Sequence, residues 1–401
     1  MSKKEKQFLD LIEAHLPEIC FAAVILLTFA IRVTNRHFVS KDAARFLLPW
    51  FDEIKAAGGL KALSKQVGDY NALYQFLIAL MTYLPFSALT MYKGLSIVFD
   101  YVMAAGAGVL VCRLAGFSCI FKGNAGDTER RAAKLFYLSA SVVLLLPTVI
   151  FNSSMWAQCD SIYVSFILWS LVCLLDEKYH AAFVLLGLAF SFKLQAVFIL
   201  PFYLMYWFFR KRCSILYLLY VPLMMVVTSL PAVPAGRSLF DTFGVYLNQT
   251  ATYPVMTARF PNIWMLLGGD YNTLKNGALL ATVTVLGLLV FMLQDRKQLF
   301  EDPEGLISVA ALSVWTALLL LPGMHDRYAY MLDLLLVVLA LRKPGRYGVI
   351  AAAAVLESTL SYCGYLFGLN YSMQAAALGW LVCYGFFFVK TMKTECLSRE
   401  S

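Results

Sequence analysis

The stretch of sequence that decides the fold is LPEICFAAVILLTFAIRV at residues 16–33, together with SKDAAR at residues 40–45. The first stretch is mostly apolar over 18 residues, which is close to the length that an α-helix needs to cross a bilayer. The second stretch sets a carboxylate between two cations soon after that apolar run. Polar clusters at a membrane surface commonly bind ligands or carry chemistry. These two stretches therefore predict a membrane protein with a functional polar loop after its first span.

The composition of the whole chain also favours a polytopic membrane protein. Of 401 residues, 60% are hydrophobic and 14% are charged, whereas a soluble domain carries about 25% charged residues. The apolar runs do not alternate, which favours helices over a β-barrel. The net charge of +8 lies mostly in loops, and without a separate basic domain we expect no nucleic-acid partner. The nine cysteines show no CxxC spacing, which favours burial over metal binding or disulfides.

We predict an all-α polytopic membrane protein with about twelve transmembrane helices. The predicted spans are approximately 16–34, 93–112, 134–150, 161–175, 181–193, 195–209, 215–231, 275–293, 305–322, 328–341, 347–365 and 373–390. We interpret the shorter apolar stretch 72–88 as a partial or interfacial segment. A full span there would invert the membrane orientation of every later segment. With this count the short basic loops share one face, which predicts that both termini are cytoplasmic.

The predicted external loop 35–71 is the longest polar segment near the first span. Phe46, Trp50 and Ile54 recur every four residues, so they fall on one face of a helix. Such a pattern is typical of an amphipathic helix that lies in the membrane interface. A second short helix is predicted over residues 60–67. The loop is basic although it is external in this topology, which suits an anionic lipid substrate.

Four polar clusters are predicted to meet on the outer face of the protein. The candidate site residues that they contribute, with one lysine at an outer helix end, are Asp42, Asp69, Tyr70, Trp156, Gln158, Asp160, Lys193, Asn262, Trp264, His325 and Arg327. No cluster is decisive alone, and the prediction of a site depends on their convergence.

The carboxylates among these candidates each have a structural alternative. Asp42 can act as a general base that takes a proton from a hydroxyl, or it can cap the interfacial helix, and the two roles are compatible. Asp69 and Tyr70 can contact substrate, or serve as a cap and an interfacial anchor. Asp160 can cap the next helix or line the site. We predict no metal or other cofactor, although a divalent cation near Asp160 stays open.

The cationic candidate residues are suited to bind a phosphate group. The planar guanidinium of Arg327 matches phosphate oxygens, and His325 can donate to the same group. The alternative is that Arg327 snorkels with Asp326 as its ion partner, and snorkelling is an equal alternative for Lys193. Asp100 lies inside a predicted span and is either a site residue or the partner of another buried polar group.

At these residues the chain resembles the GT-C membrane glycosyltransferases, which use polyprenyl-phosphate sugars. The nearest resemblance is to bacterial proteins similar to GPI mannosyltransferases and to the dolichyl-phosphate-glucose-dependent glucosyltransferases. Asp42 matches the acidic residue that follows the first span of that family. Residues 68–74 resemble its Gly-Asp-Tyr-Pro-Pro-Leu stretch, with Asn71-Ala72 in place of the prolines. Three further matches are residues 152–160 with the Trp-Gly-Gln-x-Asp stretch, 260–264 with Asn-x-Trp, and 325–328 with His-Glu-Arg-Tyr.

The resemblance implies a GT-C-like bundle and an inverting sugar transfer on the non-cytoplasmic face. Residues 1–270 would form the catalytic module, and residues 271–401 would complete the donor groove. Asp42 would deprotonate the acceptor hydroxyl. Arg327, assisted by His325, would hold the departing lipid phosphate.

The function predicted from the sequence is thus transfer of a hexose from a polyprenyl-phosphate donor to a lipid-linked or cell-surface glycan. The expected partners are this donor, a glycan or glycolipid acceptor, and the lipid bilayer. The expected location is the plasma membrane of a bacterium rather than the endoplasmic reticulum. The alternatives are a transporter or flippase of a lipid-linked sugar, and a ligase or polymerase of surface polysaccharide.

Overall fold

The computed structural model describes residues 1–118, 126–249 and 254–393, and its regular structure is almost entirely helical. The α-helices are α1 (Lys3–Ala14), α2 (Leu16–Thr34), α3 (Leu48–Ala56), α4 (Ala72–Met81), α5 (Ala88–Leu114), α6 (Asp127–Leu145), α7 (Pro147–Ile150), α8 (Asp160–Leu175), α9 (Tyr179–Phe192), α10 (Leu200–Arg210), α11 (Tyr220–Ser229), α12 (Leu239–Gln249), α13 (Ile263–Leu267), α14 (Tyr271–Leu293), α15 (Pro303–Leu320), α16 (Tyr330–Arg342), α17 (Pro344–Phe367) and α18 (Met373–Met392). Short 3₁₀ or π-helical turns cover Asn35–His37, Ala43–Leu47, Gly59–Ser64, Phe151–Trp156, Leu194–Ile199, Ile215–Leu219, Leu230–Ala232 and Gln294–Phe300. Two-residue strands β1 (Thr257–Ala258) and β2 (Met324–His325) pair in parallel.

The described part of the chain contains seven helical segments long and apolar enough to cross a membrane. They are Leu16–His37, Ala88–Leu114, Ile215–Ala232, Tyr271–Phe300, Pro303–Leu320, Pro344–Phe367 and Met373–Met392. An eighth is reached if Asp127–Leu145 and Pro147–Trp156, which bend by 58°, form one span. The protein is therefore a helical multi-pass membrane protein.

The predicted count of twelve spans exceeds these seven or eight. Helices α8, α9, α10 and α16 occupy four of the predicted spans, but they have only 16, 14, 11 and 13 residues. The corresponding predicted spans cover only 13–15 residues each, fewer than the ~20 that a helix needs to cross a bilayer. Helix α9 ends before Lys193, whose backbone is extended with φ −152° and ψ 132°. Helices α8, α15 and α16 are buried along most of their length, so they form the centre of the bundle.

The interfacial loop is helical, as the sequence predicts. A π-helical turn over Ala43–Leu47 runs into α3, and Gly58, with a left-handed φ of 87°, ends the helix. The buried stripe, however, includes Leu47, Phe51 and Ile54, whereas Phe46 and Trp50 are half-buried and line a cavity. Phe46 and Trp50 share a face, with ring centroids 5.6 Å apart, and that face meets the cavity while Leu47, Phe51 and Ile54 pack in the core. The stretch 72–88 forms the short helix α4 and not a full span.

The basic loops meet at one end of the bundle. Polar contacts tie the ends of neighbouring helices there, as expected if the charge pattern follows membrane topology. The contacts include Arg113 Nε with Asp176 Oδ1 at 2.7 Å, Arg212 Nη1 with Glu177 Oε1 at 2.5 Å, and Lys343 Nζ with Glu304 Oε2 at 2.7 Å.

A buried ion pair joins the first two long helices. Arg32 Nε on α2 donates to Asp100 Oδ2 on α5 at 2.8 Å, and neither side chain is exposed. Ser153 Oγ donates to the same carboxylate oxygen at 2.5 Å. Arg32 also donates to the carbonyls of Thr28 and Leu144. Asp100 thus has a buried polar partner, which is the structural alternative that its sequence position left open.

Removing the carboxylate of Asp100 is expected to destabilise the protein strongly. The substitution Asp100→Ala leaves Arg32 buried without its partner, and breaking one side of a buried ion pair costs about 3–5 kcal/mol. Thermal unfolding in detergent measures the loss. Asp52→Ala, at an exposed position, is the control and is expected to change stability by less than about 0.5 kcal/mol. Equal unfolding temperatures for Asp100→Ala and the parent protein would contradict this account of the pair.

Candidate active site

A cavity of about 730 Å³ lies at the end of the bundle opposite the basic loops. Its position follows from the helices that border it: Lys193 follows the C-terminal end of α9, and Arg327 precedes α16, which ends at the basic Arg342. Cavities of about 300–1,000 Å³ are typical of small-molecule sites. Eight of the eleven predicted site residues line the cavity, namely Asp42, Asp69, Tyr70, Trp156, Gln158, Lys193, His325 and Arg327.

Asp42 faces the cavity and does not cap the interfacial helix. The capping contact comes from Ser40, whose hydroxyl accepts from the backbone N–H of Ala43 at 3.1 Å and donates to the carbonyl of Trp156 at 2.8 Å. The Asp42 side chain makes no capping hydrogen bond. Its carboxylate is therefore available to the cavity, where a quarter of the side chain is exposed.

Three side chains hold the Asp42 carboxylate in one orientation. Trp156 Nε1 donates to Oδ2 at 2.8 Å, Gln158 Nε2 donates to Oδ2 at 3.3 Å, and Tyr365 Oη donates to Oδ1 at 2.6 Å. The Tyr365 hydroxyl also accepts from the Asp42 backbone N–H at 3.0 Å. The rings of Trp156 and Tyr365 stack with centroids 3.9 Å apart and planes within 7°. The stacked pair therefore fixes both donors at once.

The turn that carries Trp156 and Gln158 has an unusual backbone. A π-helical turn over Phe151–Trp156 ends at Ala157, which adopts a left-handed φ of 64°. Glycine adopts this conformation most readily, and a residue with a Cβ stores strain there. The Trp-Gly-Gln-x-Asp stretch that residues 152–160 resemble has glycine at this position. The turn points the side chains on both sides of Ala157 at the same carboxylate.

Asp160 lies behind the cavity wall as a counter-ion. Its side chain is 2% exposed, forms an ion pair with Lys193, and accepts from Asn152 Nδ2 at 2.7 Å. Arg327 Nε lies 3.7 Å from its Oδ2. Lys193 is equally buried, so it does not snorkel. Within the described ranges, no group of three or more His, Cys, Asp or Glu side chains is placed to hold a metal ion.

Arg327 joins the two carboxylates. Its Nη1 lies 3.9 Å from Asp42 Oδ2, so both Asp42 and Asp160 are within 4 Å of the guanidinium. The guanidinium carbon lies 5.4 Å from the centroid of the Trp156 ring, at a distance typical of a cation–π contact. Although burial favours the neutral form, Asp160 and other neighbours raise the pKa of Arg327 above its ordinary value. The side chain remains a fixed positive charge at the cavity wall.

The loop that carries Arg327 is anchored by strand pairing. Thr257 pairs with Met324 and Ala258 with His325. Burial, and then the nearby positive charge of Arg327, lower the pKa of His325 to about 4. His325 is therefore neutral at neutral pH and contributes hydrogen bonding rather than charge to any ligand.

Asp326, next in the chain, also lines the cavity and is buried. Burial raises the pKa of Asp326 to about 7, although Arg327 acts in the opposite direction. Its carboxyl group is thus divided between the neutral and charged forms near neutral pH. The charge of this wall residue therefore changes most steeply close to neutral pH.

Tyr70 and Asp69 border the cavity opposite this loop. Tyr70 Oη donates to Gln158 Oε1 at 3.3 Å, and burial raises the pKa of Tyr70 well above its ordinary value, so the phenol keeps its proton. Asp69 is exposed, and its backbone carbonyl accepts from Gln249 Nε2. The preceding Gly68 has φ 69° and lies against the Trp50 ring, where a Cβ would be 2.4 Å from Cδ2. Glycine is therefore required at this turn.

Asn262 and Trp264 do not line the cavity. Asn262 Nδ2 donates to the carbonyl of Leu321 at 3.3 Å, and Trp264 Nε1 donates to the carbonyl of Leu320 at 2.7 Å. These bonds satisfy carbonyl groups at the C-terminal end of α15, which have no partner within the helix. Both residues therefore support the loop that leads to Arg327.

Several lining residues were missed by sequence reasoning. They include Arg45, Phe46, Trp50, Gln249, Tyr271, Lys275 and Tyr365. Tyr365 lies in an apolar helix with no local motif, so its approach to Asp42 is visible only in three dimensions. Lys275 lies between Tyr271 and Leu279 at four-residue intervals on α14, but nothing in the sequence indicated which face of α14 meets the cavity.

Comparisons with known proteins assign no family. No protein-family profile matches the chain, and no curated protein matches it significantly. The chemistry of the site must therefore be argued from the cavity and its side chains.

Proposed function

We propose that the protein is an inverting glycosyltransferase that moves a hexose from a polyprenyl-phosphate donor to a lipid-linked or cell-surface glycan on the non-cytoplasmic face. The observation that carries the proposal is that Asp42 and Arg327 line the same cavity; their side chains are 3.9 Å apart and must separate to admit a sugar between them. A carboxylate can take the proton of an acceptor hydroxyl, and a guanidinium can bind a phosphate. These are the two groups that a single displacement at an anomeric carbon needs.

The proposed reaction is one balanced step. The acceptor oxygen attacks the anomeric carbon and forms the new glycosidic bond, while the bond from that carbon to the phosphate oxygen breaks. Asp42 takes the hydroxyl proton. The prenyl phosphate departs with the bonding electrons and gains negative charge beside Arg327. Attack on the face opposite the leaving group inverts the anomeric configuration.

The apolar part of the cavity supports a lipid donor. Leu194, Val197, Phe198, Leu279 and Leu321 line it beside the charged groups. An amphiphile with a polar head and a prenyl chain matches a wall that changes from charged to apolar. Ligand pockets with a few polar groups in an apolar lining are the common pattern.

The proposal includes a GT-C-like arrangement of the bundle, with residues 1–270 as the catalytic module and residues 271–401 completing the donor groove. Its support is that Arg327 and Tyr365, from the second part, both contact or approach Asp42 in the first. The proposal also includes cytoplasmic termini, supported by the common end of the basic loops, and a bacterial plasma membrane as the location.

A transfer assay in detergent tests the proposed function. Purified protein is incubated with polyprenyl-phosphate glucose or mannose and a lipid extract of the source cells, and prenyl phosphate release and new glycolipids are measured by mass spectrometry. The expected result is release of prenyl phosphate together with a product of inverted anomeric configuration. A detergent micelle does not separate two aqueous compartments, so a flippase would leave the donor chemically intact. An intact donor would therefore contradict the proposal.

The affinity for the sugar donor is expected to fall as the pH rises through about 7. Below that value Asp326 is mainly neutral, and above it a carboxylate next to Arg327 opposes binding of an anionic phosphodiester. The donor phosphodiester itself does not titrate in this range. The Michaelis constant for the donor, measured from pH 6 to 8, should rise with pH in the parent protein. Asp326→Asn should give a flat profile, and an unchanged slope in this variant would contradict the assignment.

A further inference from the structure

The cavity wall has more cations than the ion pairs with Asp42 and Asp160 account for. Lys193 is paired with Asp160, and Arg327 lies within 4 Å of Asp160 and Asp42. These two cations and two carboxylates balance one another, and the other carboxyl groups of the wall, Asp69 and the partly charged Asp326, add only negative charge. Since His325 is neutral at neutral pH, this cluster has no surplus positive charge for an anionic ligand. The remaining cations of the cavity wall are Arg45 and Lys275.

Lys275 differs from Arg45 in its setting. Arg45 is exposed, whereas Lys275 is half-buried. The Lys275 ammonium lies 5.3 Å from the centroid of the Tyr271 ring. Among the residues that the structure describes, no carboxylate lies within the 4 Å of an ion pair with Lys275. Its charge is therefore available to a ligand inside the cavity.

The helix that carries Lys275 leads from the cavity to lipid. Tyr271, Lys275 and Leu279 all line the cavity at four-residue intervals on one face of α14. Each interval is about 6 Å along a helix, so Leu279 lies one turn deeper in the membrane than Lys275. Beyond them, Leu280 and Val283 are each 68% exposed on the outer surface of α14. An anionic head at Lys275 would thus have an apolar path directly below it.

We propose that Lys275 binds the phosphate of a prenyl phosphate together with Arg327, and that it supplies the positive charge that the balanced cluster lacks. This inference rests on the proposed function. In the proposed transfer a phosphodiester with one negative charge becomes a monoester with about two near neutral pH. Lys275 therefore stabilises charge that develops as the bond to the sugar breaks, which favours the transition state over the bound donor.

Ligand binding to purified protein in detergent tests this inference. The probes are farnesyl phosphate, farnesol and inorganic phosphate, with affinities measured by calorimetry. The parent protein is expected to bind farnesyl phosphate at least about tenfold more tightly than farnesol, as one charge-assisted contact provides. Lys275→Met should lose this preference while its affinity for farnesol is kept. Lys275→Arg should retain the preference, and Lys55→Met, at an exposed position outside the cavity, should match the parent.

Two results would overturn the inference. The first is an unchanged preference for farnesyl phosphate over farnesol in Lys275→Met. The second is inorganic phosphate binding as tightly as farnesyl phosphate, which would assign the site to free phosphate rather than a lipid. Failure of the proposed function looks different: the parent protein would transfer no sugar, yet Lys275→Met would still lose its preference for the prenyl phosphate.

Discussion

Asp42→Asn is expected to lower the rate of sugar transfer by about 10²–10⁴-fold, the range that a positioned general base contributes. The variant is nearly isosteric, and its amide accepts almost no proton. The surrounding bonds can persist, because the amide oxygen can accept from Trp156 and Gln158. The amide nitrogen can donate to Tyr365 Oη, since a hydroxyl is both donor and acceptor. The loss should therefore appear in kcat with little change in the unfolding temperature.

The control for this variant is Asp52→Asn. Asp52 lies in the same interfacial segment, is exposed and does not line the cavity, so its replacement should leave the rate unchanged. Asp42→Asn should bind farnesyl phosphate at least as tightly as the parent, because the substitution removes a negative charge beside Arg327; retained binding separates lost chemistry from lost folding. Transfer at the parental rate by Asp42→Asn would remove this carboxylate from the mechanism.

The second large effect is expected for Arg327→Lys, which should lower kcat by about 10²–10³-fold, the range for a donor that stabilises a developing anion. The substitution keeps the positive charge and removes the planar fork. A lysine ammonium cannot approach Asp42, Asp160 and a phosphate together, because it is a compact charge on a flexible chain. Steady-state kinetics with the prenyl-phosphate sugar measures the effect.

Arg36→Lys is the matched control for this variant. Arg36 is exposed on the same side of the bundle and does not line the cavity. Its replacement should change neither kcat nor the Michaelis constant. If Arg327→Lys shows a higher Michaelis constant with an unchanged kcat, the guanidinium serves ground-state binding alone, and the proposed stabilisation of the leaving group is wrong.

The sequence was most informative about candidate site residues that lie next to the end of an apolar run. Asp42 was identified in the long loop 35–71 and Arg327 in a short loop, and both were predicted to converge with other polar clusters on one face of the protein. The structure places them in one cavity, 3.9 Å apart. Their catalytic roles remain predictions that the two variants above test.

Contacts between distant parts of the chain were not predictable in the same way. Tyr365 is 323 residues from Asp42, and no local pattern shows which face of an apolar helix meets a given loop. The count of spans was too high for a different reason. Four of the predicted spans are apolar stretches of only 13–15 residues, shorter than the ~20 residues that a helix needs to cross a bilayer. Hydropathy alone identified them as apolar but did not show that they are too short to span.

The Arg32–Asp100 pair has a consequence for biogenesis. A lone arginine or aspartate in a transmembrane helix is costly in hydrocarbon, so α2 and α5 each carry a residue that lipid alone disfavours. Because the two charges neutralise each other only when the helices are side by side, α2 and α5 are each more stable in the membrane together than alone, and loss of either charge is expected to weaken the membrane insertion of the other helix.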